Sequence, residues 1–448
     1  METIMETFTL YGRTFKHGKC GELDVWDAII NKGNIAYYRI YKMKTESETK
    51  WVFYIRQKNK ENEIMYHHNN TNVSTPPLTG WETSKKVRRI LVYTIGNLNA
   101  LEGSTNNTIN LCILLSKLNT VYVHILLTRN INNLFFSKEL LNIKNIKIHE
   151  PRHFDVSSIN HTNYDTFINI LDKQYNYKSI FIRTPLHLTQ NLPLIDKSVF
   201  FIQYSNSRHD NILNQVKNIF FSNKEVMDFY LEKYKNNTKK IIEIFPMVRS
   251  MGECLQTLDK NVTSVINVCY LGSFKKEYLV KEYLDIFKNI HLKIKDIKIR
   301  LYIFGDVYTK DSGLSKKMLL ELSKNNNNII YSGKINNEDV EKNLKNMHFG
   351  LSIRNDKFNT HLDLSSKLMD YSRNGVIPIC NKTKINQYIL GENFNGYVKT
   401  PDDIVDKIQA YIQNINLYNI DKEISISGSR KLLHENYIPV LENYINTL

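Results

Sequence analysis

A chain of 448 residues that is 42% hydrophobic and 23% charged, with 9 Pro and 17 Gly, is neither collagenous nor disordered throughout, and it has length for two or three domains. Its 60 Lys and Arg against 45 Asp and Glu give a formal charge of +15, which favours anionic partners. The basic residues are scattered among Asn and Ile and form no single clustered stripe, so nucleic acid is not the expected partner.

All three tryptophans, Trp26, Trp51 and Trp81, fall in the first 81 residues, and this sets residues 1–66 apart as a small β-rich module. Aromatic and β-branched runs predict strands over 8–14, 36–41 and 51–56, with a helix around Trp26 to Ile30. Residues 67–85, polar and carrying Pro76 and Pro77, read as a linker in which His67 and His68 are exposed. From there the pattern becomes short apolar runs alternating with amphipathic segments, the sign of β-α-β units on parallel sheets. A first α/β domain over 86–247 is predicted from strands at 89–95, 122–127, 179–183, 198–203, 218–222 and 241–246. Gly96 and Gly103 mark the loop after its first strand, and Thr105 is placed to cap a helix running to Leu118. A second α/β domain over 263–425 follows from runs at 266–273, 300–306, 329–333, 349–353 and 377–380. Residues 426–448 read as a C-terminal helix that packs back on the first α/β domain.

Open parallel sheets bind ligands outside the carboxyl ends of their strands, so the residues just after each apolar run carry the functional information. After the first strand of the second domain come Gly272 and Ser273, then Lys275 and Lys276, which offer close backbone approach and positive charge to a phosphate. Gly305 makes a similar tight turn after the next strand. A helix beginning near Ser365 would carry Asp363, Lys367 and Asp370 on one face. Its first-turn N–H groups and Lys367 suit a diphosphate, and Asp370 suits sugar hydroxyls.

Taken in order, Gly272-Ser273 with its lysines, the 303–306 and 331–335 segments and the 365–375 run resemble the C-terminal half of GT-B glycosyltransferases, especially the retaining family 4 type. The resemblance covers roughly residues 86–448 and is clearest from 266 to 400. It implies two facing Rossmann-like domains, with a nucleotide-sugar on the second and a glycan or lipid-linked acceptor on the first. Carried over residue by residue, it implies donor contacts at Gly272, Ser273, Lys275, Gly305, Lys334, Ile335, Ser366, Lys367 and Asp370. It places acceptor-side contacts at Gly103 and Ser104, and catalytic roles at Asp363, Lys276 and His209. Two positions depart from the pattern: Leu362 stands where the family carries its first glutamate, and Ser273 where it carries an arginine. Those departures also fit a non-catalytic GT-B shell that binds a glycan or a partner.

Motifs for zinc peptidases, P-loop ATPases, hydrolase elbows and calcium loops are absent from the sequence, as is a strand-flanked D-x-D pair. Transfer without a metal, and without a cofactor beyond the nucleotide-sugar itself, is therefore expected. Cys20, Cys112, Cys254, Cys269 and Cys380 are odd in number and include no C-x-x-C pair, which fits a reducing compartment. With no leader pattern and no apolar run near the roughly 18 to 20 residues of a membrane span, the expectation is a cytoplasmic protein, peripheral at an anionic membrane at most.

Overall fold

The computed structural model describes residues 7–10, 13–20, 23–30, 36–44, 49–57, 60–68, 82–83 and 88–447, apart from 95–96, 100–102, 119–120, 133–137, 161, 184–193, 195, 203–217, 222, 234–239, 244–247, 254, 259–263, 296, 308–311 and 356–364. The N-terminal module is an antiparallel meander of seven strands in chain order. They are β1 (Thr7–Leu10), β2 (Arg13–Cys20), β3 (Leu23–Ile30), β4 (Ala36–Lys44), β5 (Thr49–Gln57), β6 (Lys60–His68) and β7 (Glu82–Thr83). Its register sets Trp26 opposite Ile40, Ile40 opposite Phe53 and Phe53 opposite Tyr66, one cross-strand row of large apolar residues.

Three sequence expectations change here. The helix expected at Trp26 to Ile30 is strand β3: its Val, Trp and Ile residues favour a strand, and it pairs on both sides with β2 and β4. The single strand read over 8–14 is two, β1 and β2. The module also passes residue 66: His67 and His68 belong to β6, and β7 lies inside the expected linker, whose residues 69–81 lie outside the described ones.

The first α/β domain holds strands β8 (Arg88–Thr94), β9 (Val121–Leu127), β10 (Ile146–His149), β11 (Ser179–Arg183), β12 (Ser198–Ile202), β13 (Asn218–Phe221) and β14 (Lys240–Glu243). They are ordered β10-β9-β8-β11-β12-β13-β14, and helices α1 (Gly103–Ser116), α2 (Lys138–Leu141), α3 (Tyr164–Tyr175) and α4 (Lys224–Lys233) accompany them. Strand β8 carries the consecutive buried run Ile90, Leu91, Val92 and Tyr93 that a strand covered on both faces requires. Strand β10, unread in the sequence, is an edge strand of four residues with Lys147 exposed, so it shows no apolar run. Thr105 sits inside α1, where its hydroxyl donates to the Asn97 carbonyl at 3.0 Å, and does not cap it.

The second sheet, β17-β16-β15-β18-β19-β20, is built from β15 (Val265–Leu271), β16 (Lys298–Phe304), β17 (Ile329–Gly333), β18 (Phe349–Ser352), β19 (Ile377–Asn381) and β20 (Tyr397–Val398). All its pairs are parallel. Its helices are α5 (Val280–Lys288), α6 (Ile290–Lys293), α7 (Lys316–Asn325), α8 (Asn337–Leu344), α9 (Ser366–Arg373), α10 (Lys384–Leu390), α11 (Asp403–Gln413), α12 (Ile415–Arg430) and α13 (His434–Thr447). Helix α5 buries Val280, Tyr283, Leu284 and Phe287, the spacing of one helical face, against Val268, Leu301 and Phe349 of the sheet core. The strand order reverses between β15 and β18, and at such a switch point a crevice opens at the carboxyl ends.

The C-terminal segment is two helices where one was expected over 426–448. Helix α12 continues to Arg430, and α13 begins at His434, whose N–H donates to the Val248 carbonyl at 2.8 Å. Tyr444 of α13 meets Phe220 of β13 edge to face, with centroids 4.9 Å apart, so this helix lies on the first sheet. No helix among the described residues is long and apolar enough to cross a membrane.

Candidate anion site at the second switch point

Three turns at the carboxyl ends of β15, β16 and β17 are glycine turns with positive φ: Gly272 at 130°, Gly305 at 151° and Gly333 at 73°. Gly272 donates its N–H to the Phe304 carbonyl at 2.8 Å, and Gly305 to the Gly333 carbonyl at 2.8 Å. A Cβ on Gly305 would stand 1.8 Å from the Gly272 carbonyl oxygen, so only glycine fits. On Gly272 a Cβ would come within 2.7 Å of Lys367 Cε, so the missing side chain leaves the path along which the Lys367 stem passes.

The loop after β15 is fixed by Tyr270, whose hydroxyl donates to the Ser273 carbonyl at 2.7 Å. The first residues after β18, Ile353 to Asn355, are held from three sides. Tyr283 of α5 accepts the Ile353 N–H at 3.1 Å and donates its hydroxyl back to the Ile353 carbonyl at 2.9 Å. Asn381 Oδ1 accepts the Arg354 N–H at 2.6 Å, and Asn355 donates its N–H to the Glu277 carbonyl at 3.0 Å. These bonds set Arg354 beside the single turn of 3-10 helix Lys276–Tyr278, opposite helix α9.

Helix α9 starts at the Ser365 N-cap position; the Ser365 hydroxyl pairs with that of Ser352 at 3.1 Å, so the first-turn N–H groups receive no side-chain cap. Lys367, half-buried one turn in, reaches over the Tyr278 ring with Nζ 3.8 Å from its centroid and 5.3 Å from that of Tyr270. Arg354 approaches the same Tyr278 ring at 5.9 Å. Among the described residues no carboxylate lies within ion-pair distance of Lys367 or Arg354. Burial first, then the charges of Arg354 and Lys275, push the Lys367 amine down to about 7. With no carboxylate on Lys367 or Arg354 among the described residues, this crevice has the charge to accept an anion.

The other expected donor residues lie after the same strands or on α9. Ser366 is the first residue of α9, and Lys275 precedes the 276–278 turn. Lys276 is exposed. Lys334 is exposed and pairs with Asp306 at 3.7 Å, while Ile335 packs against the cluster that contains Phe304, Val340 and Tyr371. Asp370 accepts from Arg373 Nε at 3.1 Å, and Arg373 also meets Glu341 at 3.5 Å, so this acid already has a cationic partner. Gly103 and Ser104 open helix α1. His209, Leu362 and Asp363 lie outside the described residues.

Sequence reading missed Arg354 and Tyr278. Arg354 gains its place only because β18 lies next to β15 in space, a fact of strand order that no local pattern carries. Tyr278 reads as one more aromatic residue until the two cations are seen on its ring. Among the described residues no group of three or more His, Cys, Asp and Glu is arranged to hold a metal ion.

No family model matches the sequence, and no curated protein does. Solved structures do match. Sucrose-phosphate synthase from Thermosynechococcus elongatus aligns with a TM-score of 0.56 at 9% identity, covering 80% of this chain and 98% of its own. Anabaena HepE, in a complex with UDP and glucose, gives 0.55 at 9%, with 81% and 100% covered. A glycosyltransferase from Rickettsia africae gives 0.54 at 13%, with 80% and 98% covered. The shared feature is the fold: this chain has the GT-B architecture of two Rossmann-like α/β domains.

Proposed function

We propose that the protein is a glycosyltransferase, retaining and metal-independent, that moves a sugar from a nucleotide-sugar to a glycan or lipid-linked acceptor, as in polysaccharide biosynthesis. The observation that carries this reading is the cluster of Lys275, Arg354 and Lys367 at the second switch point of a GT-B fold, with no carboxylate paired to Arg354 or Lys367 among the described residues. Sugar transfer breaks the bond between the anomeric carbon and the diphosphate and leaves negative charge on the departing phosphate. Preorganised cations at that point lower the barrier because their placement costs nothing at the moment of reaction. In this reading Lys367 and Arg354 hold the diphosphate, the uncapped first turn of α9 adds N–H donors, and the cations do the work that a divalent ion does elsewhere. The formal charge of +15 suits an acceptor carried at an anionic membrane surface.

The test is a thermal-shift panel of UDP-, GDP-, ADP- and CMP-sugars, followed by an assay of nucleoside diphosphate release with and without EDTA. One donor should raise Tm and release its nucleoside diphosphate at an undiminished rate in EDTA. Binding without release, in the presence of varied acceptors, would favour a non-catalytic shell, and the absence of any shift in a folded protein would overturn the nucleotide-sugar reading altogether.

A further inference from the structure

Buried or half-buried lysines usually sit beside a carboxylate, since an unpaired ammonium loses hydration that only an opposite charge restores. Lys367 does not. Among the described residues the charged groups facing it are Arg354 from the loop after β18 and Lys275 from the loop after β15, both of its own sign. Its close neighbours are the rings of Tyr278 and Tyr270. The 3.8 Å approach to the Tyr278 centroid is well inside the roughly 6 Å range of a cation–π contact.

The backbone around Tyr278 is built to hold that ring in place. The turn Lys276–Tyr278 ends at Leu279, a non-glycine residue with φ 54° and ψ 31°, a left-handed conformation that costs energy for a side chain of this size. Tyr278 N–H donates to the Lys275 carbonyl at 3.0 Å, and the Glu277 carbonyl accepts the Asn355 N–H at 3.0 Å, which ties the turn to the loop that carries Arg354. One ring therefore meets a cation from α9 and a cation from the β18 loop.

We propose that Tyr278 is the positioning residue of the diphosphate site, its ring standing in for a carboxylate counter-ion and seating Lys367 and Arg354 for the two phosphates of a nucleotide-sugar. The reason to use a ring is electrostatic. A carboxylate here would neutralise the lysine but repel the incoming diphosphate, and it would have to be displaced at every turnover. A ring face attracts the ammonium while adding no net charge, so the cations stay in place and the ring does not repel the ligand. This inference rests on the nucleotide-sugar reading above and assigns the residue that organises its phosphate subsite.

Titration calorimetry of the full chain with UDP, GDP and ADP first identifies the nucleoside diphosphate that the wild-type protein binds. That probe is then measured against Tyr278→Phe, Tyr278→Leu and Tyr278→Glu from pH 6 to 9, with circular dichroism and Tm confirming the fold of each. Tyr278→Phe keeps the ring and should hold Kd within about twofold. Tyr278→Leu should weaken binding roughly 3- to 30-fold, the range of a cation–π contact. Its pH profile should also move to lower pH by roughly half a unit or more, because the ring favours the charged amine. Tyr278→Glu should bind more weakly than the leucine variant. A role in packing alone would lower the Tm of Tyr278→Leu and leave the midpoint of its pH profile where it stands in the wild type. A folded Tyr278→Leu protein with wild-type Kd and pH profile overturns the positioning role while the donor reading stands. A wild-type protein that binds none of the three diphosphates overturns both.

Discussion

At the carboxyl edge of the second sheet two cations, Lys367 and Arg354, gather on the Tyr278 ring, and the glycine turns at Gly272 and Gly305 allow the close backbone packing beside them. Among the described residues, the same edge of the first sheet carries mainly neutral hydrogen-bonding groups. Thr94 and Thr108 share a hydrogen bond at 3.0 Å, and Thr105 donates to the Asn97 carbonyl. Asn99 accepts from the Asn132 N–H at 2.7 Å and donates to the Asn130 carbonyl at 2.8 Å. Glu150, the buried acid of this region, is engaged by the Ile131 N–H and by Arg152. Asn107 leaves a buried Oδ1 without a partner. Among the described residues, two sheets with the same central strand order thus offer different chemistry: a cluster of cations on one, mostly uncharged donors and acceptors with one paired acid on the other. Phosphate oxygens call for the first kind of surface and sugar hydroxyls for the second.

The largest expected effect tests whether the charge asymmetry governs nucleotide binding. Lys367→Met should weaken nucleoside diphosphate binding roughly 10- to 100-fold, the worth of a charge-assisted hydrogen bond. The same charge removed at Lys117, exposed after α1 in the first domain, should leave Kd unchanged. Equal losses at both positions would mean that net charge, not the switch-point cluster, attracts the ligand.

The next effect concerns pH and separates the two edges more finely. With its amine near 7 in the free protein, Lys367 is charged below that pH and must take up a proton to meet a phosphate above it. Binding should therefore be nearly flat below about pH 6.5 and weaken by up to about tenfold per unit above pH 7. Calorimetry at pH 8 in buffers of different ionisation enthalpy should show net proton uptake. A flat profile from pH 6 to 9 would mean that the lysine is fully charged before the ligand arrives.

Much of this arrangement is legible in the sequence, for a physical reason. Strands β8 and β19 are buried along most of their length, and β15 and β16 end in apolar, largely buried residues, so their carboxyl ends, and with them Gly272, Lys275 and Gly305, are legible in the sequence. Ser365 before Lys367 marks the start of α9 as a residue type favoured at the N-cap position, although its hydroxyl pairs with Ser352 and caps nothing. What fails is whatever depends on neighbours. β3 reads as a helix until its pairing with β2 and β4 is known. β10 is too short and too exposed to show a run, and Arg354 is an ordinary post-strand arginine until β18 is placed beside β15. Tyr278 illustrates the limit most clearly, since its place depends on two residues 76 and 89 positions further along the chain.

The smallest expected effect lies inside the first domain and concerns stability. His149 of β10 and His124 of β9 are both buried, with ring nitrogens 3.0 Å apart, so one nitrogen must donate and the other accept. Burial, then the charges of Lys147 and His153, lower the His149 pKa to about 4, against about 6.5 in the unfolded chain. The unfolded state therefore binds the proton more readily, and stability present at neutral pH is lost progressively as pH falls from about 6.5 towards 4. Between pH 7 and 5.5 this imidazole should account for a loss of about 1 kcal/mol. Denaturant titrations at those two pH values should find that His149→Phe reduces the acid-induced loss by about that amount, whatever it does to absolute stability. His348 of the second domain, lowered to about 4 by burial and accepting the Asn267 N–H at 3.1 Å, remains in the variant and should keep a residual acid dependence of similar size. An unchanged pH slope in His149→Phe would show that His149 and His124 accept a proton in the folded state without cost, and that the two domains do not share this sensitivity to acid.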